Sequence, residues 1–239
     1  MIKDFISNFA SPKTYLEQCN KFNRYFLLIG TVLILIGWIW GLFFAPADIK
    51  QGDAYRIIYV HVPSAIYSQL IYWVMAFWAI IYLVWRVRLA SYLIKSASYV
   101  GLLMTFIALF SGSIWGIPTW GTWWQWDARI TSTLILFIMY LGLITLHDSF
   151  RNYEKADKLM SILVVVGCIN LPIIKWSVEW WATLHQPASD SSNIHPDMLL
   201  PLIFSLVGFA FLLISFGMKA SKLVILKRER YKQWVVDYD

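Results

Sequence analysis

The stretch YFLLIGTVLILIGWIWGLFFA, residues 25–45, contains no charged side chain in 21 positions. About 20 mostly apolar residues are needed to cross a bilayer as a helix. In lipid every backbone polar group must be paired within the chain, which makes a helix the form for such a run. Working outward, five more stretches share this character: Pro63–Trp85, Ala97–Trp115, Ile130–Leu146, Leu159–Trp176 and Met198–Met218. Hydrophobic residues make up 59% of the chain and charged ones 14%, against about 45–50% and about 25% in soluble domains. The expected fold class is therefore an all-α integral membrane protein with six transmembrane helices. Ala45-Pro46-Ala47 resembles a signal-peptide cleavage site, but the preceding apolar run exceeds a typical h-region, so the first helix is expected to be retained.

Lys and Arg accumulate in cytoplasmic connections. With the N-terminus inside, the outer side keeps Lys50, Arg56, Arg129 and Lys175, 4 of the 20 basic residues. That asymmetry predicts an N-in, C-in orientation. It divides the chain into a cytoplasmic N-terminal arm (1–24), a six-helix membrane domain (25–218) with a Trp-rich outer loop (116–128), and a basic cytoplasmic tail (219–239). The tail is expected to lie near anionic headgroups or to continue the last helix. The net charge of +6 sits in these connections and implies no nucleic-acid partner. Cys19 and Cys168 lie in unlike settings and predict neither a disulfide nor a haem attachment motif.

The outer side holds the unusual chemistry. Trp38, Trp40, Trp115, Trp120, Trp123, Trp124, Trp126, Trp176, Trp180 and Trp181 fall on or near it. An ordinary aromatic belt populates both interfaces, so anchoring explains several of these but not the cluster at 120–126. Such a surface suits a flat apolar ligand. His61 ends the first outer connection and His185 lies in the third, on either flank of that cluster. Taken singly, each is ordinarily a polar helix-end residue. Together they form a candidate pair of iron ligands, one on each face of a haem, and neither sits in a zinc spacing. Arg56 and Arg129 are candidate partners for carboxylates. Asp127 is placed to cap the fourth helix. Gly37/Gly41 and Gly112/Gly116 have the spacing of close helix packing and also of room for a planar ligand. Pro172 predicts a bent or short fifth helix. No nucleophile or acid–base pair marks an enzyme.

WGTWWQWDARITS (120–132) resembles the tryptophan-rich WWD signature of haem-handling membrane proteins in cytochrome c maturation. GWIWGLFFAPAD, YRIIYVHVPSA, FIALFSGSIWG and INLPIIKWSVEWWATLHQ are similar to the haem exporter protein C branch, from about Gly37 to Gln186. The resemblance implies a bacterial inner-membrane protein binding haem b non-covalently on its periplasmic face. His61 and His185 would be the axial iron ligands, with Trp120, Trp123, Trp124, Trp126 and Asp127 in the supporting segment. It implies a periplasmic haem chaperone (maturation protein E), an ABC transporter of maturation proteins A and B, and small membrane protein D as partners. Two other classes stay open at this point. A transporter of haem through the helices would place polar groups near mid-membrane. A quinone-linked redox protein would place His pairs there.

Overall fold

The structure, a computed structural model, describes residues 11–181, 183, 185 and 194–238. The start of the N-terminal arm and much of the third outer connection lie outside the described residues. The helices are α1 (Pro12–Phe43), α2 (Ile58–Trp85), α3 (Arg88–Trp120), α4 (Ala128–Ser149), α5 (Tyr153–Gly167), α6 (Asn170–Trp180), α7 (Pro196–Arg228) and a short α8 (Gln233–Val236). A 3-10 turn, Asp53–Ile57, leads into α2. Among the described residues, six segments are long and apolar enough to cross a membrane, the fifth being α5 and α6 together. No β-strand occurs among the described residues.

The helices outrun their apolar cores. Helix α1 begins at Pro12, where Ser11 caps the Thr14 amide at 3.5 Å. Proline suits that first position because its missing N–H needs no partner there. At the other end of the chain, α7 continues through the basic segment to Arg228. Helix α3 extends to Trp120 and stops at Gly121, whose φ of +74° is the left-handed cap that favours glycine.

The second span starts earlier than Pro63, so His61 belongs to the first turn of a helix and not to a connection. Pro63 cannot donate to the Tyr59 carbonyl one turn before it. Trp38 Nε1 donates to that carbonyl at 3.2 Å instead. An indole from α1 thus repairs the ladder, and the helix tolerates its proline. The fifth span breaks at Cys168–Ile169, as Pro172 leads one to expect. Asn170 Nδ2 donates to the Ser132 carbonyl at 2.9 Å and fixes the start of α6 against α4.

Helix α1 packs chiefly on α7, α7 on α3 and α2, α3 on α2 and α4, α5 on α2 and α4, and α6 on α4. Gly37 lies against Ser205 and the Pro201 carbonyl, and Gly41 against the Tyr59 ring. Side chains there would separate the helices, so this glycine pair serves packing. The main core joins Tyr72, Met75, Leu136, Tyr140 and Met160. Outward, Leu28, Val32, Leu35 and Ile39 leave a row of exposed apolar side chains along α1, unfavourable in water and ordinary in lipid. The connections gather at two ends. One carries the Trp-rich segment. At the other, Arg228 forks onto Asp157 at 2.7 and 3.0 Å, and Arg88 and Tyr92 both donate to Glu229.

Candidate functional site

At the Trp-rich end a cavity of about 820 Å³ opens among α2, α3, α4, α6 and the adjoining connections. Its volume falls within the roughly 300–1,000 Å³ of small-molecule and cofactor sites. His61, Trp120, Trp123, Trp124, Arg129 and His185 all line it. Four separate segments of the chain therefore converge on one space.

His61 enters from the first turn of α2. Its Nδ1 lies 3.0 Å from Ser111 Oγ on α3, and its ring meets the edge of Trp115 at 5.4 Å between centroids. Gly112 faces the ring: a Cβ there would come within 3.0 Å of His61 Cε1. The second glycine pair thus differs from the first, because Gly112 makes room for an imidazole. Trp115 Nε1 donates to Gln51 Oε1 at 2.7 Å, tying α3 to the first connection.

His185 is held from other directions. Its backbone N–H donates to Thr183 Oγ1 at 3.0 Å. Its Nδ1 lies 3.3 Å from Arg129 Nη1, and its ring sits 6.1 Å from Trp120. Arg129 Nη2 donates to the Lys175 carbonyl at 3.1 Å. Asp127 caps α4, accepting from the Ile130 amide at 2.8 Å. Its other oxygen accepts from the Thr183 hydroxyl. One carboxylate thereby fixes both the helix carrying Arg129 and the segment carrying His185. Two buried donors, Trp124 Nε1 and Arg129 Nε, have no partner among the described residues. Such groups are costly unless something completes them.

The family model described as "Heme exporter protein C" matches residues 5–236. The chain is 44% identical over 227 residues to "Heme exporter protein C" of Escherichia coli strain K12, covering 95% of this chain and 93% of that one. It is 42% identical over 231 residues to the Haemophilus influenzae protein of the same name, covering 95% and 94%. A "Putative cytochrome c biosynthesis ccmC-like mitochondrial protein" of Marchantia polymorpha is 43% identical over 205 residues, covering 81% and 87%. The chain belongs to the Heme exporter protein C family. The likeness carried by the WWD-like segment therefore extends over nearly the whole chain.

Not every expected residue of this family member meets at the cavity. Arg56 pairs with Asp53 at 2.8 Å and donates to the Gly41 carbonyl at 2.5 Å, and it does not line the cavity. Trp126 is 75% exposed and packs edge-on against Trp124 at 5.3 Å, so it extends the aromatic surface outside. Asp127 contributes by positioning. Conversely, Ser111, Gln51, Lys50 and Lys175 belong to the site's surroundings, though the aromatic and histidine pattern did not single them out. For Lys175 a signal was present, since it is one of the few outer cations.

Proposed function

We propose that this protein binds haem b non-covalently at the Trp-rich end and presents it to a small periplasmic haem chaperone during c-type cytochrome maturation. The observation that carries this reading is the convergence of His61 and His185 on one cavity with Trp120, Trp123, Trp124 and Arg129. Haem is flat, largely apolar, carries two carboxylates, and takes axial imidazoles on iron. The cavity supplies a counterpart to each feature. Imidazoles serve the iron and indoles the macrocycle. Arg129 Nε, without a partner among the described residues, and the cations Lys50 and Lys175 on its wall serve the carboxylates. The names of its relatives agree with a haem-handling role.

In this reading both termini face the cytoplasm of the bacterial inner membrane and the cavity opens on the periplasmic side. The partners are the chaperone, the ABC transporter of maturation proteins A and B, and small membrane protein D. The protein acts as a carrier and not an enzyme. Ser111 and His61 have the residue types of a nucleophile and base, but the Ser111 hydroxyl donates to the Ile107 carbonyl at 2.6 Å and the residue is buried.

The test is complementation. In a host lacking its own relative, the wild-type chain restores haem-stained c-type cytochromes, and His61→Ala and His185→Ala do not. Cytochrome levels matching wild type with the double variant would refute the proposal.

A further inference from the structure

The two imidazoles differ in what their Nδ1 atoms meet. A serine hydroxyl has one proton, and Ser111 Oγ has the Ile107 carbonyl at 2.6 Å and the Ala108 carbonyl at 3.3 Å to receive it. Back-bonding to the preceding turn is the usual state of a serine in a membrane helix. With its proton given away, Ser111 Oγ accepts from His61 Nδ1 at 3.0 Å. Nδ1 of His61 then carries the hydrogen, and its Nε2 keeps a lone pair. A second partner fixing tautomer and ring orientation is what a ligating histidine ordinarily needs. Gly112 lets the ring sit in that place.

His185 meets the opposite partner. A guanidinium has donors and no acceptor. Arg129 Nη1, 3.3 Å away, therefore donates, and His185 Nδ1 accepts. A neutral imidazole accepting at Nδ1 bears its hydrogen on Nε2, where no lone pair is then available.

We infer that His61 is the standing iron ligand, held ready by Ser111, and that His185 is the exchangeable one, held back by Arg129 until a substrate carboxylate takes the guanidinium. This rests on the haem-binding reading above. When Arg129 turns to a carboxylate, the proton of His185 moves from Nε2 to Nδ1 with no net change of charge, and Nε2 gains the lone pair that binds iron. Carboxylate recognition and second-ligand binding are thus coupled. The reverse exchange lets the His185–iron bond break first at hand-over. Ser111 and Arg129 are positioning residues in this scheme.

The test has two arms on the purified full chain. In the haem-free protein with 15N-labelled histidine, assigned with single-His variants, the ring nitrogens of His61 should report hydrogen on Nδ1 and those of His185 hydrogen on Nε2. Ser111→Ala should abolish the His61 preference and weaken ferric haem binding about 10-fold or more, the usual scale for loss of such a partner. In the second arm, wild type with haem should give a six-coordinate low-spin spectrum. With haem dimethyl ester, which lacks carboxylates, it should give a five-coordinate high-spin one, and Arg129→Met with the ester should regain the low-spin form. The same tautomer on both histidines, or a low-spin ester complex of the wild type, overturns the inference. Failure of the purified wild type to take up haem itself, with no Soret band on the chain, would instead refute the haem-binding reading.

Discussion

At the scale of single residues, Asp127 and the two arginines carry the lesson. Asp127 caps α4 and also binds Thr183, so its loss has two effects. Removing an N-cap costs about 1 kcal/mol, and releasing Thr183 loosens the segment that presents His185. Asp127→Ala should therefore lower both thermal stability and haem affinity, while Asp127→Asn, which retains a cap acceptor, should lie between. Isothermal titration with haem and a melting curve in detergent measure the two. The arginines separate. Arg129→Ala should weaken haem binding at least several-fold, because the proposed partner of a haem carboxylate is lost. Arg56→Ala should leave affinity within about twofold, since Arg56 ties Gly41 to Asp53 away from the cavity; equal losses in both variants would contradict this placement. Capping by Asp127 was legible in the sequence because it is local, whereas the pair of Arg56 with Asp53 came only from the structure. The contact between His61 and Ser111 spans 50 residues, and no spacing in a single chain reveals it.

At the scale of elements, proline effects were legible but their repair was not. Pro172 marks the broken fifth span, and Pro63 marks the start of the second. The sequence pattern ended the first outer connection at His61 because proline commonly opens a helix. The helix instead begins at Ile58, with the Tyr59 carbonyl rescued by Trp38. Trp38→Phe should lower the melting temperature, leaving a buried carbonyl short of a partner at a cost of about 1–3 kcal/mol. Adding Pro63→Ala should recover part of that loss, because an alanine N–H can reach the same carbonyl. No recovery in the double variant would show that Trp38 stabilises only by packing. Other helix ends were underestimated for a related reason, although continuation of α7 into the basic tail was one of the two expectations for it. Apolar runs delimit what lipid covers, whereas α3 and α7 continue past it on capping and polar contacts.

At the scale of the whole molecule, the number of spans followed from composition, and the gathering of His, Trp and Arg at one end followed from the alternation of connections. That the two histidines share one ligand was expected from their placement, but the cavity that brings them together depends on helix packing, which no spacing gives. The opposite end shows the same limit. Its basic residues satisfy a charge rule, yet Arg228 is engaged with the buried Asp157, which His147 also contacts at 3.0 Å. Removing one partner of such a pair costs about 3–5 kcal/mol. Arg228→Ala should thus sharply lower the melting temperature, and adding Asp157→Asn should restore part of it. Orientation is testable independently. A cysteine at position 126 should react with an impermeant maleimide added to intact spheroplasts, and one at position 237 should not; the opposite pattern would invert the proposed topology.

The proposal that His61 and His185 ligate one iron within the cavity they share has a direct test. Low-temperature electron paramagnetic resonance of the ferric haem-loaded full chain tests it most directly. The account predicts a low-spin bis-imidazole signal in the wild type, converted to high spin by His185→Ala and lost together with the bound haem in the double variant His61→Ala, His185→Ala. An undiminished low-spin signal in that double variant would contradict it.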